Sequence, residues 1–277
     1  MPELPDLLYI LSRLRERLLG RHVTAERVRE PVVLRFTVRG NLSLLLGRTL
    51  VELFRKAHFL VFRFEGLDLA VNPMLAGRFR LAAPGEADEG SLSFALGFGD
   101  VELRYLDDKT MGKAYLIATD DWKAIPGLQM GGLDILSPEF TRERFVSLLK
   151  HRRDQVRAFL LDKKALDSLG NAYADEVLFE AGIHPKTFCR SLSHDAGLRL
   201  HGAIVKVMKE AVEEVARRGE PIEVKVRDFL KVRMKETCPR CGSKLRVAGV
   251  RGMDAYFCPR CQPATRPGFV DWTRTGR

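Results

Sequence analysis

A chain of 277 residues, 45% of them hydrophobic, is long enough to build two compact domains, each with its own core. Lys and Arg outnumber Asp and Glu 46 to 36, and the resulting charge of +10 points to a polyanionic partner: DNA, RNA or an anionic membrane surface. No apolar run reaches membrane-spanning length, an N-terminus opening on prolines and acids does not read as a signal peptide, and five cysteines do not read as a disulfide scaffold.

In chain order, Leu7, Leu8, Leu11, Leu14 and Leu18 form a helical stripe between Pro5 and Leu19, interleaved with Arg13, Arg15 and Arg17 and stopped by Gly20. From Val23 to about Ile117 the pattern changes to short β runs. These are Val32 to Val38, Leu50 to Leu53, Phe59 to Phe64, Leu67 to Val71, Arg78 to Leu81, Val101 to Tyr105 and Ala114 to Ile117, which predict a β-sandwich. Ala83 to Gly90 is a polar loop, and Asp121 to Gly132, with Pro126 and Gly127, reads as a hinge between domains. Helical periodicity follows over Pro138 to Leu149, Val156 to Leu161, Ala172 to Ala181, Asp195 to Arg218 and Val224 to Val232.

Chemistry concentrates at the two ends. If Met1 is removed, Pro2 becomes a terminal secondary amine with the Glu3 carboxylate beside it. Such an amine has a pKa of about 8, so roughly a tenth is unprotonated at neutral pH, and it can attack a carbon at the aldehyde oxidation level to form an iminium. The plainer reading is that Pro2 and Pro5 merely stiffen a fraying terminus. Near the other end, Cys238-Pro-Arg-Cys241 and Cys258-Pro-Arg-Cys261 are separated by sixteen residues. Two C-x2-C knuckles supply the four thiolates that a tetrahedral structural zinc requires, and the stretch between them, Leu245 to Phe257, reads as a β-hairpin. Cys189 is left over as a small buried residue, and the histidines expected to be exposed, His151 and His201 among them, show no ligand spacing.

Together the ends resemble the formamidopyrimidine-DNA glycosylase and endonuclease VIII family, which opens Pro-Glu-Leu-Pro-Glu and closes on a four-cysteine finger ending Cys-Gln, here Cys261-Gln262. A third block agrees: Leu169-Gly-Asn-Ala-Tyr-Ala-Asp-Glu176, followed by Ala181-Gly-Ile-His-Pro185, is similar to the family's helix-two-turn-helix. The resemblance implies an α+β fold with a catalytic N-terminal helix and β-sandwich over 1–122. A helix-two-turn-helix domain would span 133–235 and a zinc finger 236–262; the polar, basic tail 263–277, in which Phe269 and Trp272 could dock or stack on a base, extends past the usual family end. The resemblance also implies one structural Zn2+, DNA in a cleft between the domains, no membrane association, a monomer, and a cytoplasmic, nucleoid-associated enzyme. Asn171, at a turn before a helix where backbone N–H groups can hold a phosphate, and Lys164 would bind the DNA backbone.

Departures from the family pattern bear on substrate. The family's hairpin lysine corresponds in register to His58, with Lys56 two residues earlier and expected on the same strand face; either could approach a phosphate. The methionine that the family inserts into the stack corresponds to Leu75, with Met74 adjacent. The Arg-Arg-Phe-Gly loop that reads the orphaned base becomes Lys109-Thr-Met111-Gly112, which lacks the planar guanidinium fork and has a softer plug. Only seven residues separate Leu230 from Cys238, so the lid over an everted 8-oxoguanine is expected to be missing. The finger's phosphate-binding arginine is replaced by Met253, with Arg251 as the nearby substitute. The sequence therefore reads as a bifunctional DNA glycosylase and abasic-site lyase. The alternatives are a weak or inactive binder of damaged DNA on the same scaffold, or an RNA-binding module, which leaves the N-terminus unexplained.

Overall fold

A computed structural model describes residues 2–264 apart from positions 89, 127, 129, 130 and 168; the tail, with Phe269 and Trp272, lies outside the described residues. The chain divides into two compact units, Met1–Gln129 with Glu214–Val226, and Met130–Glu213 with Arg227–Arg277. The segment 214–226 thus belongs with the N-terminal unit rather than with the helical stretch in which the sequence placed it.

In the first unit, helix α1 (Leu4–Leu18) starts at Pro5 in its first turn and buries Leu4, Leu7, Ile10, Leu11, Leu14 and Leu18 along one stripe. Nine strands follow: β1 (Ala25–Val28), β2 (Leu34–Phe36), β3 (Leu50–Lys56), β4 (Phe59–Phe64), β5 (Leu67–Asn72), β6 (Arg78–Ala82), β7 (Leu92–Gly97), β8 (Glu102–Leu106) and β9 (Lys113–Ala118). They form a four-stranded sheet ordered β1-β7-β8-β6 and a five-stranded sheet ordered β2-β9-β5-β4-β3. All pairings are antiparallel except β2 with β9.

The β4 run Phe-Leu-Val-Phe shows no clean alternation because both of its faces are covered. Leu60, Phe62 and Phe64 join the main core with α1 and the facing sheet, while Phe59 and Val61 pack with Ile125 and Leu128 on the outer side. The first half of the expected 121–132 hinge is therefore part of the core, with a 3-10 turn at Trp122–Ala124. Ile222 completes the main cluster, and Tyr9 Oη donates to the Glu220 carbonyl at 2.7 Å, which seats the 214–226 segment against α1.

The second unit opens on a two-residue parallel pairing of β10 (Leu133–Asp134) with β11 (Leu166–Asp167). Helix α2 (Arg142–Lys150) begins later than expected, because Thr141 accepts from Arg144 N and caps it. Helices α3 (Val156–Leu160) and α4 (Asn171–Ala181) follow, then the long α5 (His194–Arg218), and β12 (Arg246–Val250) pairs with β13 (Met253–Phe257) as the zinc-finger hairpin. Val224–Val232 is not helical. Its β-branched residues disfavour helix, and the buried Glu176 carboxylate draws the backbone N–H groups of Lys231, Val232 and Arg233 to itself at 2.7–3.0 Å. No helix among the described residues is long and apolar enough to cross a membrane.

Candidate active site and DNA-reading loops

Pro2 and Glu3 are both buried at the head of α1. Glu3 occupies the N-cap position of a reciprocal box: its backbone N donates to Asp6 Oδ2 at 2.7 Å, and its side chain accepts from the backbone N of Asp6. The helix is pinned further along by Arg15, whose Nε donates to the Leu53 carbonyl at 2.6 Å. An amine at position 2 would thus sit on a rigid element, beside the Glu3 carboxylate at the head of α1.

Lys56 and His58 do not share a strand face. Lys56 ends β3 opposite Phe59, so Ala57 and His58 are the two residues of a tight turn, with Ala57 in the left-handed region at φ 53°. The expectation failed because a two-residue reversal resets the period-2 alternation. The Lys56 ammonium lies over the Trp122 ring, 4.8 Å from its centroid, and the His58 ring packs on Phe59.

The two loops expected to enter the base stack lie side by side. Asn72, the last residue of β5, pairs with Lys113, and Arg78, the first of β6, pairs with Leu106. Segments 73–77 and 107–112 are therefore adjacent crossovers between the sheets. The first is closed by Gly77 N donating to Pro73 O at 2.8 Å and by Asn72 Oδ1 accepting from Met74 N at 3.1 Å. Its crest residue, Leu75, is 54% exposed, and its carbonyl accepts from Lys225 Nζ at 3.2 Å. The second is folded around the buried Asp107 carboxylate, which accepts from Lys109 N at 3.1 Å and Gly112 N at 2.6 Å, leaving Lys109 and Met111 exposed.

In the second unit, Asn171 is the first residue of α4. Its Oδ1 accepts from Arg157 Nη2 at 3.3 Å, which fixes the orientation of its amide. Arg157 is completely buried; its Nε donates to Asp175 Oδ1 at 2.7 Å and its Nη2 to the Asp254 carbonyl of β13 at 2.8 Å. Arg233 Nη1 reaches the same carboxylate at 2.7 Å and the same carbonyl at 3.0 Å. Asn171 is thus one side chain away from the zinc hairpin. Lys164 is exposed, with its backbone N donating to Asp162 Oδ1 at 3.0 Å. Arg251 and Gly252 form the hairpin's turn with φ of 49° and 76°, and the Arg251 guanidinium pairs with Asp154. Cys189 is buried, and burial first, then the Asp154 carboxylate, pushes its thiol up to about 12, which fits a packing role rather than a reactive one.

The four sulfurs of Cys238, Cys241, Cys258 and Cys261 lie within 4.8 Å of one another. The Cys238–Cys261 and Cys241–Cys258 separations are 3.9 and 3.5 Å. A tetrahedral zinc with bonds of about 2.3 Å sets its sulfurs about 3.8 Å apart, close to the two separations above, so the donor set fits the ion. Gln262, fully buried, fastens the finger to the helices: Oε1 accepts from Cys258 N and Nε2 donates to the Ile183 carbonyl, both at 2.9 Å.

Comparison with known proteins follows the same three blocks. Residues 1–114 match the formamidopyrimidine-DNA glycosylase N-terminal domain, 132–219 its H2TH domain, and 235–264 the zinc finger found in FPG and IleRS. The formamidopyrimidine-DNA glycosylase of Symbiobacterium thermophilum is 33% identical over 95% of this chain and 90% of its own length. The chain belongs to the formamidopyrimidine-DNA glycosylase family. Its relative from Moorella thermoacetica is also 33% identical, over 96% of this chain and 94% of the relative. A solved complex of the Lactococcus lactis Fpg with DNA containing an abasic site superposes with a TM-score of 0.84 at 26% identity, covering 95% of this chain and 100% of that one. Another, of the same protein with DNA containing an oxidized pyrimidine, gives 0.84 at 27% identity with the same coverage.

With the finger and the cysteine cluster both in place, this glycosylase-family chain carries one structural zinc site. Arg157, Asp175 and Arg233 were not singled out from the sequence. For Arg157 and Asp175 the only signal was charge inside otherwise apolar helical runs, which becomes informative once the residues prove buried; half-buried Arg233, in the polar stretch before Cys238, carried no such signal.

Proposed function

We propose that the protein is a bifunctional DNA glycosylase and abasic-site lyase of base-excision repair, acting on double-stranded DNA with an oxidised, ring-opened or missing base. The observation that carries this reading is the buried Pro2–Glu3 pair held at the head of α1 by the Glu3–Asp6 box. Pure binding has no need of it. The damaged nucleotide is rotated out of the duplex. The Pro2 nitrogen then attacks C1′ and the glycosidic bond breaks, the base leaving with the bonding pair and the proton the amine gives up; the nitrogen lone pair next expels O4′ from C1′, opening the sugar ring to the iminium, and Glu3 supplies the proton that O4′ takes. The C1′ iminium acidifies the C2′–H bond, so loss of that proton expels the 3′ phosphate and a second elimination expels the 5′ phosphate. Water finally releases the sugar fragment and restores the amine.

In this reading Leu75, with Met74 beside it, enters the stack, and Lys109 and Met111 face the orphaned base. Asn171, Lys164 and Arg251 hold phosphates, and His58 or Lys56 contacts the backbone near the scissile nucleotide. The high exposure of Leu75 supports its part, since an apolar crest on a rigid turn is the shape that holds a step open. In this reading the catalytic domain is 1–122, the helix-two-turn-helix domain 133–235 apart from the 214–226 segment that groups with the first unit, and the finger 236–262, in a monomeric, cytoplasmic, nucleoid-associated enzyme.

Borohydride tests the proposal directly. The protein with Met1 removed should be trapped covalently on abasic-site duplex, Pro2→Gly should weaken trapping, and Glu3→Gln should block base release. Failure to trap on any abasic or oxidised-base duplex would leave a non-catalytic binder of damaged DNA as the better reading.

A further inference from the structure

Tyr105, the penultimate residue of β8, is completely buried. Its ring is stacked on Phe94, with centroids 5.2 Å apart, and meets Phe79 edge-on at 5.4 Å, so it cannot swing. Its hydroxyl is buried without a hydrogen-bond partner among the described residues. Buried polar atoms of this kind are rare enough to require an explanation. The explanation lies in what the oxygen touches. A Cβ on Gly77 would lie 2.2 Å from it, and a Cβ on Gly112 would lie 1.9 Å from it. Gly77 closes the Leu75 turn and Gly112 closes the Lys109–Met111 loop. Both crossovers therefore rest their last backbone position against one oxygen atom.

We propose that Tyr105 is a positioning residue that sets the spacing of the two base-reading loops, its hydroxyl acting as a fixed post between Gly77 and Gly112. The proposal rests on the reading of Leu75 and Met111 as the residues that enter the DNA. Two loops that fill opposite halves of one gap must keep a constant separation, and a ring clamped by two phenylalanines is stiffer than either loop. A side chain at Gly112 would strike the post, and one at Gly77 would strike both the post and the Pro73 backbone, whose oxygen would lie 2.3 Å from its Cβ. Asp107 serves the same arrangement: its Oδ2 accepts from Gly112 N at 2.6 Å and would lie 2.9 Å from a Cβ there, which holds the loop's end beside the post. Tyr105→Phe keeps the ring and its stacking but leaves an oxygen-sized gap, into which both loops relax.

The test compares cleavage of an abasic site in duplex with cleavage of the same strand alone, for wild type, Tyr105→Phe, Leu75→Ala and Met111→Ala. Only the duplex has a stack to hold open. Tyr105→Phe is expected to lower the duplex-to-single-strand ratio of kcat/KM by about three- to tenfold, short of the roughly hundredfold that a full ångström of misplacement can cost. A 2-aminopurine opposite the abasic site should report a changed degree of unstacking in the same variant. A merely structural role would lower both substrates together. Gly112→Ala, which pushes against the same oxygen, gives the same readout should Tyr105→Phe not fold. If Leu75→Ala lowers the ratio and the Tyr105 and Gly112 variants do not, the post is wrong while the loop reading stands. If neither Leu75→Ala nor Met111→Ala changes the ratio, the loop reading fails and the proposal falls with it.

Discussion

Arg157 and Asp175 face each other with no solvent on either side chain, Nε to Oδ1 at 2.7 Å. Burial pushes the Asp175 carboxyl up, while Arg157 and Arg233 pull it down. Removing one partner of such a pair costs about 3–5 kcal/mol, because the other charge is left buried, whereas replacing both by apolar groups can be neutral. Arg157→Met should therefore destabilise the protein by about that amount in urea titration, and Arg157→Met with Asp175→Leu should recover most of it. A single variant within about 1 kcal/mol of wild type would show that the pair is not the tie between α4 and the hairpin.

Phosphate contacts of different charge should separate in salt. Arg251→Ala removes a cation, so the slope of log K against log salt should become shallower by about 0.9. Asn171→Ala removes a neutral donor and should weaken binding at every salt concentration without changing the slope. Because Asp154 holds the Arg251 guanidinium in the free protein, Asp154→Ala should tighten binding. Fluorescence anisotropy over a salt series decides all three, and an unchanged slope for Arg251→Ala would remove it from the phosphate contacts.

Structural zinc in such fingers contributes an apparent ~10–16 kcal/mol near neutral pH. Cys241→Ser or chelation should abolish DNA binding while the β-sandwich, in the other compact unit, keeps its near-ultraviolet dichroism. Metal analysis that finds well-folded, DNA-binding protein without zinc would refute this.

What the sequence made legible follows from how local each signal is. The α1 stripe, the cysteine knuckles and the Gly170-Asn171 helix start are each written within a few residues, and the structure places all of them as expected. Two strands of the sandwich escaped detection for opposite reasons. β1 is a charged edge strand, Ala-Glu-Arg-Val, and β7 is a buried strand built on Ser93, Ala95 and Gly97, residues of weak β propensity. Val224 to Val232 read as a helix because Glu176, far away in sequence, decides where its backbone N–H groups go. The Tyr105 post was invisible for the same reason, since its partners lie 28 and 7 residues away.

Glu176 also gives a pH signature. Burial raises its carboxyl above the ordinary 4.5, outweighing the three backbone N–H donors that lower it. The folded state then binds the proton more tightly than the unfolded one, so this group's contribution is fully present below 4.5 and is lost as pH rises through the elevated folded value. Glu176→Gln, neutral throughout, should lose about 1–3 kcal/mol at neutral pH from the mismatched Lys231 N–H and should flatten stability over that window. Denaturation midpoints of both proteins from pH 4 to 7 (roughly the interval in which a raised carboxyl titrates) provide the check; parallel curves would exclude Glu176 as the source.

Specificity is where the chain departs most from the family pattern. Lys109 cannot make the two-pronged contact of an arginine, Met111 is a softer plug than phenylalanine, and seven residues between Leu230 and Cys238 leave little chain to cover an everted purine. The segment following α5 is also committed elsewhere, with Ile222 in the sandwich core and Lys225 on the Leu75 carbonyl. We therefore expect modest activity on 8-oxoguanine and better activity on ring-opened purines, oxidised pyrimidines and abasic sites. Each lost bidentate base contact removes roughly 1–3 kcal/mol of discrimination. The preference for cytosine opposite the lesion should accordingly fall by about one to two orders of magnitude relative to an enzyme that keeps the arginine–phenylalanine pair. Steady-state kinetics on matched duplexes, with lesion and opposite base varied separately, measure both effects. Lys109→Arg should restore part of the cytosine preference. Strong 8-oxoguanine excision confined to cytosine partners in the unmodified protein would mean that a segment other than 107–112 reads the orphaned base.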